Sequence, residues 1–185
     1  MWADIPVPGS TRGRLVEASL RAFERDGYRN ASVSGVAADA GVTTGALYHH
    51  FGSKLGLYAY VRGDLEKRLV ERIAGAAESH GGSGPAALRA ALLVAFDAAV
   101  RFGVPRIVGE ADPSSTAQES DAPTGPDPVE HALRPLVGAG LEPAARMLTA
   151  AWRAALLSVA DGEDPDRVRR SLGSVLPSPG GAGDP

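Results

Sequence analysis

Residues 32–54 read SVSGVAADAGVTTGALYHHFGSK, and the spacing within this stretch decides the fold. Ser32 is placed to cap a short helix through Val33, Val36, Ala37 and Ala40, which Gly41 ends. A second helix starts near Thr43 or Thr44 and runs to about Phe51. Gly52 then breaks the chain, and Ser53 can cap a further helix. Where two helices cross at a sharp angle, the first needs a small residue, and Ala37 is there. The turn needs a residue that tolerates positive φ, and Gly41 supplies it four positions on. Val36, Ala40, Val42 and Leu47 fall where the inner faces must be apolar, whereas His50 falls where a further apolar residue is usual. The spacing fits a helix-turn-helix, and equally an ordinary helical hairpin with a glycine turn.

Upstream, residues 1–9 read as a mobile arm. Leu15, Ala18, Ser19, Ala22 and Phe23 recur on one helical face, which predicts a helix from Ser10 or Thr11 to Gly27. Downstream, Leu57, Val61, Leu65, Leu69 and Ile73 mark a long helix from Lys54 to about Ser79. After a loop at 80–84, Pro85 opens a helix to about Phe102 through Leu88, Leu92, Ala95, Phe96 and Ala99. Residues 103–126 read as a mobile acidic loop, with 111–126 disordered on their proline, glycine and serine content. Asp127, Pro128 and Glu130 form a helix start; Pro135 limits that helix, and Gly138 and Gly140 end it. Further helices are predicted near 143–160 and 165–176, the last capped by Asp164, before a disordered tail over 177–185. No segment with strand period appears. The reading is an all-α chain, with three short helices over 10–54 and a longer-helix body over 55–176.

Composition excludes several classes. The chain has 185 residues, 44% of them apolar and only 5% aromatic, so its core is built from Ala, Val and Leu. With no cysteine there is no disulfide, thiolate metal site or Cys nucleophile. No apolar run reaches membrane-spanning length, and the first residues lack a basic signal-peptide region, so a cytoplasmic protein is expected. The net charge of −3, taken as a total, argues against nucleic-acid binding. Its distribution weakens that objection: 1–55 and 56–102 each carry +1, 103–130 carry −5, and 131–185 are neutral. Seventeen of the 19 basic residues are arginine. The sequence offers no paired acids, no His-x-x-x-His pair and no glycine phosphate loop, which argues against an enzyme, a cofactor or a metal.

Several linked positions go beyond spacing. Phe23 and Gly27, Ser32 and Val33, Val36 and Ala37, Gly41 and Val42, Gly45-x-Leu47–Tyr48-x-x-Phe51, and Ser53–Lys54 with Leu57 together resemble the DNA-binding domain of the TetR/AcrR family of bacterial transcriptional regulators. The resemblance covers about residues 12–61; the rest agrees only in architecture. It implies an N-terminal three-helix helix-turn-helix domain joined to a helical ligand-binding and dimerisation domain. The helix from Thr44 to Phe51 would lie in a major groove of double-stranded DNA. Thr43, Thr44, Gly45 and Ala46 would face base edges and backbone, and Tyr48 and His49 the same groove. His50, Lys54, Ser32 and Ser34 would reach phosphates, with Arg12 and Arg14 as flanking candidates. The adjacent histidines point about 100° apart on a helix, which argues against a metal pair.

The resemblance further implies a homodimer through the helices near 143–160 and 165–176, with Ala144, Ala151, Ala154 and Ala155 allowing close approach, reading a palindromic operator. A small-molecule effector would bind among Leu92, Phe96, Ala99, Phe102, His131, Arg134 and Trp152, and release the protein, as a repressor, from DNA. The alternative is a dimeric helical small-molecule-binding protein with little DNA affinity, which the near-neutral head keeps open.

Overall fold

The computed structural model describes residues 9–113, 127–138 and 140–177. Helices α1 (Thr11–Asn30), α2 (Val33–Asp39) and α3 (Thr44–Phe51) form the head; α4 (Lys54–Glu78) runs from it into the body. The body adds α5 (Gly84–Arg101), α6 (Pro105–Gly109), α7 (Pro128–Val137), α8 (Glu142–Ala160) and α9 (Pro165–Val175). No strand occurs among the described residues.

Local capping fixes most boundaries. Side-chain oxygens of Ser10, Ser32, Thr43, Ser53, Asp127 and Asp164 each accept an N–H from the first turn of their helix, which satisfies donors a helix leaves unpaired. Gly27 does break α1, at φ +75°, but one more turn carries the helix on to Asn30. In the head, Leu15, Phe23, Val36, Ala40 and Leu47 are buried together with Leu57 of α4. Tyr58 is fully buried and its ring stands edge-on to Phe23 and Tyr28, at 5.0 and 4.9 Å between centroids.

The stripe expected on α4 is buried over its whole length, from Leu57 to Ile73. Its most extensive partner is α5. Ala87, Ala91, Ala95 and Ala99 share one face of α5 and are buried, and their small size admits a close helix–helix approach. Val129 and Leu133 of α7, Trp152 and Leu156 of α8, and Val168 and Leu172 of α9 complete the body core.

The structure corrects the loop expected over 103–126 at its near end. Pro105–Gly109 is helical, and Ile107 and Val108 are fully buried. The proline and the adjoining acids read as loop signals, while the two apolar residues between them anchor a short helix in the core. The remainder of that expected loop, 114–126, lies outside the described residues, as do 1–8 of the arm and 178–185 of the tail.

Candidate nucleic-acid interface

The candidate interface is built on α3. Thr43 Oγ1 accepts from the Ala46 N–H at 3.2 Å and so sets the start of the helix. Val42 N–H donates to the Ala37 carbonyl at 2.9 Å across the turn, and Gly41 sits at φ +63°. Ala37 is buried where α2 and α3 cross. Leu47 points inward and is fully buried, with Phe51 half-buried one turn on. Leu47 therefore fixes the rotation of α3, and the opposite face is turned outward.

That outward face holds most of the expected residues. Thr43, Thr44, Gly45, Tyr48, His49 and His50 are exposed and Ala46 is half-buried. Tyr48 is a large ring left 52% exposed, on a helix whose other aromatic is packed inward. The two histidine rings lie 5.2 Å apart, edge to face. Ser32 and Ser34 are exposed at the start of α2 with their hydroxyls 3.4 Å apart, and Ser32 also caps that helix through Gly35 N–H. Arg14 is exposed, and its guanidinium lies beside the turn, 4.0 Å from where a Gly41 Cβ would stand. Arg12 instead packs over the Tyr60 ring at 4.8 Å.

Lys54 differs from its expected placement. Its Nζ donates to the Arg29 carbonyl at 3.2 Å and lies 4.6 Å from the Tyr28 ring centroid. Burial pushes its pKa down from the ordinary lysine value. In this structure the lysine ties α4 to the end of α1.

The effector residues expected in the body are not gathered on one surface. Leu92, Phe96, Ala99 and Trp152 lie in the packed core. His131 and Arg134 face outward, and Arg134 pairs with Glu130 at 2.8 Å. Phe102 closes α5 on the surface, under the Arg72 guanidinium at 5.0 Å. Helix α7 buries Val129, Leu133 and Leu136, so positions 131 and 134 fall off that face. Among the described residues no group of three His, Asp or Glu side chains is placed to hold a metal.

Sequence reading missed a buried ionic hub. Arg62 Nε meets Glu66 Oε1 at 3.0 Å, and Arg153 Nη2 meets the same oxygen at 3.1 Å. Arg153 also pairs with Asp127 at 2.6 Å and donates to the Val108 carbonyl. The Arg62 and Glu66 side chains are almost wholly buried. Their i, i+4 spacing was legible as a pair; the partners Val108 on α6, Asp127 before α7 and Arg153 on α8 had no local signal.

Fold and site together define a helical protein with an N-terminal helix-turn-helix head. Residues 15–61 match the family model described as bacterial regulatory proteins, tetR family. The HTH-type transcriptional regulator BetI of Vibrio parahaemolyticus is 32% identical over 71 residues, 38% of this chain and 36% of that protein. The HTH-type transcriptional repressor AcnR of Corynebacterium glutamicum is 31% identical over 64 residues, 35% of this chain and 34% of that one. The matched stretch thus spans about a third of the length of these curated relatives. Solved structures agree over nearly the whole chain in fold. A TetR-family transcriptional regulator from Pectobacterium atrosepticum superposes with a TM-score of 0.60 at 23% identity, covering 91% of this chain and 96% of that one. A TetR-like regulator from Rhodococcus sp. RHA1 gives 0.62 at 24%, covering 92% and 95%. The match to the tetR family model thus covers the head and the start of α4, and the fold of the whole described chain is that of solved TetR-family structures.

Proposed function

We propose that the protein is a transcriptional regulator that binds a palindromic DNA operator as a homodimer and leaves it, as a repressor does, when a small molecule binds the body. The observation that carries this reading is the outer face of α3. Thr44, Gly45, Tyr48 and His49 are exposed there while Leu47 holds the helix from behind. A major groove about 12 Å wide admits a helix presenting such a face. Hydroxyls, an open backbone at Gly45 and a ring with a polar tip suit base edges and phosphates. Ser32 and Ser34 extend the same surface to the neighbouring backbone. With a head of net charge +1 over 1–55, few phosphates are neutralised, so affinity falls only shallowly with salt. Specificity then depends on pairing two heads.

The surface of α8 and α9 supports the pairing. Met147 is 70% exposed and Val175 66%, with Ala154 exposed between the two helices. Large apolar side chains outward on adjacent helices mark an interface. Supporting the effector reading, Trp152 is fully buried and its Nε1 donor finds no acceptor among the described residues. A buried unpaired donor is costly. A ligand oxygen or nitrogen presented to Trp152, within the core that also holds Leu92, Phe96 and Ala99, would relieve it.

The test is selection from random duplexes by the full chain. The expected outcome is enrichment of one inverted repeat, with half-sites about one helical turn or slightly more apart. Recovery of no sequence would leave the alternative, a ligand-binding protein with little DNA affinity.

A further inference from the structure

Among the described residues the head meets the body chiefly in two places. One is α4, which is continuous through both. The other is α6, which is joined to α1 at each of its ends. We propose that α6 is a clamp that sets the angle of the helix-turn-helix head on the body, with Glu24, Arg106 and Glu110 as the positioning residues that close it. Its regulatory meaning rests on the function proposed above; its mechanics do not.

A five-residue helix has too few internal bonds to hold itself. The residue before it, Val104, provides no side-chain cap. The cap comes instead from α1, 82 residues away in sequence. Glu24 Oε1 accepts the Arg106 N–H at 2.9 Å, and Oε2 accepts the Ile107 N–H at 3.0 Å. Arg106 returns the bond: its Nε donates to the Glu24 backbone carbonyl at 3.1 Å. Its Nη2 donates to the Ala160 carbonyl at 2.8 Å and pairs with Asp161 at 2.9 Å, at the end of α8. One arginine therefore links the head to a helix of the proposed dimer face.

The far end of α6 repeats the arrangement. Glu110, which closes the helix, accepts the Tyr28 N–H on Oε2 at 3.2 Å, directly after the break in α1. A Cβ at Gly27 would stand 2.5 Å from Glu110 Oε1, so the break is shaped to admit this carboxylate. The Glu110 carbonyl in turn accepts Arg62 Nη1 of α4 at 2.7 Å. Ordinary apolar packing of Ile107 and Val108 would keep α6 in place, but such packing is non-directional. Carboxylates at both ends, each fixed on backbone N–H groups, set a direction. Glu24 also bears a cost for its position: burial pushes its pKa up, in spite of the two N–H bonds and Arg106.

The absence of cysteine makes the test direct. Arg21 and Glu78 are exposed, on α1 and at the end of α4. Arg21→Cys and Glu78→Cys carry spin labels, diluted with unlabelled protein so that only distances within one protomer register. The expected result is one narrow distance peak that is lost, by broadening or shift, in Glu24→Ala/Glu110→Ala, with helicity by circular dichroism retained. Glu24→Gln alone, which keeps one acceptor oxygen, should give an intermediate width. If the double variant does not fold, Glu110→Ala alone carries the test, read with exchange at Tyr28, since it frees the Tyr28 N–H and leaves the Glu24 cap in place. An unchanged narrow peak in a folded variant, with faster hydrogen exchange at Tyr28, Arg106 and Ile107 showing the bonds gone, overturns the clamp. No DNA enters this measurement. A chain that selects no operator yet loses its narrow peak removes the regulator reading alone; one that selects an operator and keeps the peak removes the clamp alone.

Discussion

Lys54 is tied into the fold by two neighbours. Its position at the start of α4 suits a phosphate contact; in the structure its ammonium is held by the Arg29 carbonyl and the Tyr28 ring. A cation over an aromatic ring and a charge-assisted hydrogen bond together contribute about 1–2 kcal/mol at a partly exposed site. Lys54→Ala is therefore expected to lower the stability of the protein by about that much, read as a lower urea midpoint with unchanged slope. An unchanged midpoint would show that the lysine is loosely held and available to DNA without cost. At this scale the sequence was most informative where partners are close neighbours. The caps of Ser10, Ser32, Thr43, Ser53, Asp127 and Asp164 are bonds across two or three residues, so type and spacing suffice to read them. Glu24, Arg106 and Glu110 gain their meaning from partners about 80 residues away, and nothing local distinguishes them from solvated charges.

The same distinction holds for elements. The head's three helices and α4 were legible because each carries its own cap, apolar period and stop. Helix α6 was not, because its cap belongs to α1 and its five residues are too few to show a period. In the body, period identified Leu92, Phe96 and Ala99 as inward-facing but gave no orientation for Trp152, which α8 buries, or for His131 and Arg134, which α7 turns outward. The turn between α2 and α3 makes a clean element-scale prediction. Gly41 has φ +63°, and a Cβ there would meet only Arg14 Nη1, at 4.0 Å. Space is available, so Gly41→Ala incurs only the left-handed backbone, about 1–2 kcal/mol. Chemical denaturation is expected to show that loss. A variant as stable as the parent would mean that the turn relaxes and that α3 is not rigidly set on α2.

The whole molecule joins three surfaces: the outer face of α3, the α6 clamp, and the outward face of α8 and α9. The third is the most readily isolated. Met147→Glu/Val175→Glu places charges where two large apolar side chains stand exposed, so it is expected to leave helicity intact and to halve the mass found by light scattering. A parent that is itself monomeric would contradict the pairing. The net charge also belongs at this scale. A total of −3 describes an acidic stretch over 103–130 joined to a near-neutral head, and so does not oppose DNA binding. The decisive experiment is a mobility shift on the selected duplex, comparing the parent with Tyr48→Ala. Tyr48 is 52% exposed, so the substitution should change stability by no more than about 0.5 kcal/mol. The expected result is an unaltered melting temperature with binding weakened by about 1–3 kcal/mol, the worth of a good groove contact; equal affinity for the two proteins would contradict the assignment of α3 as the helix that reads DNA.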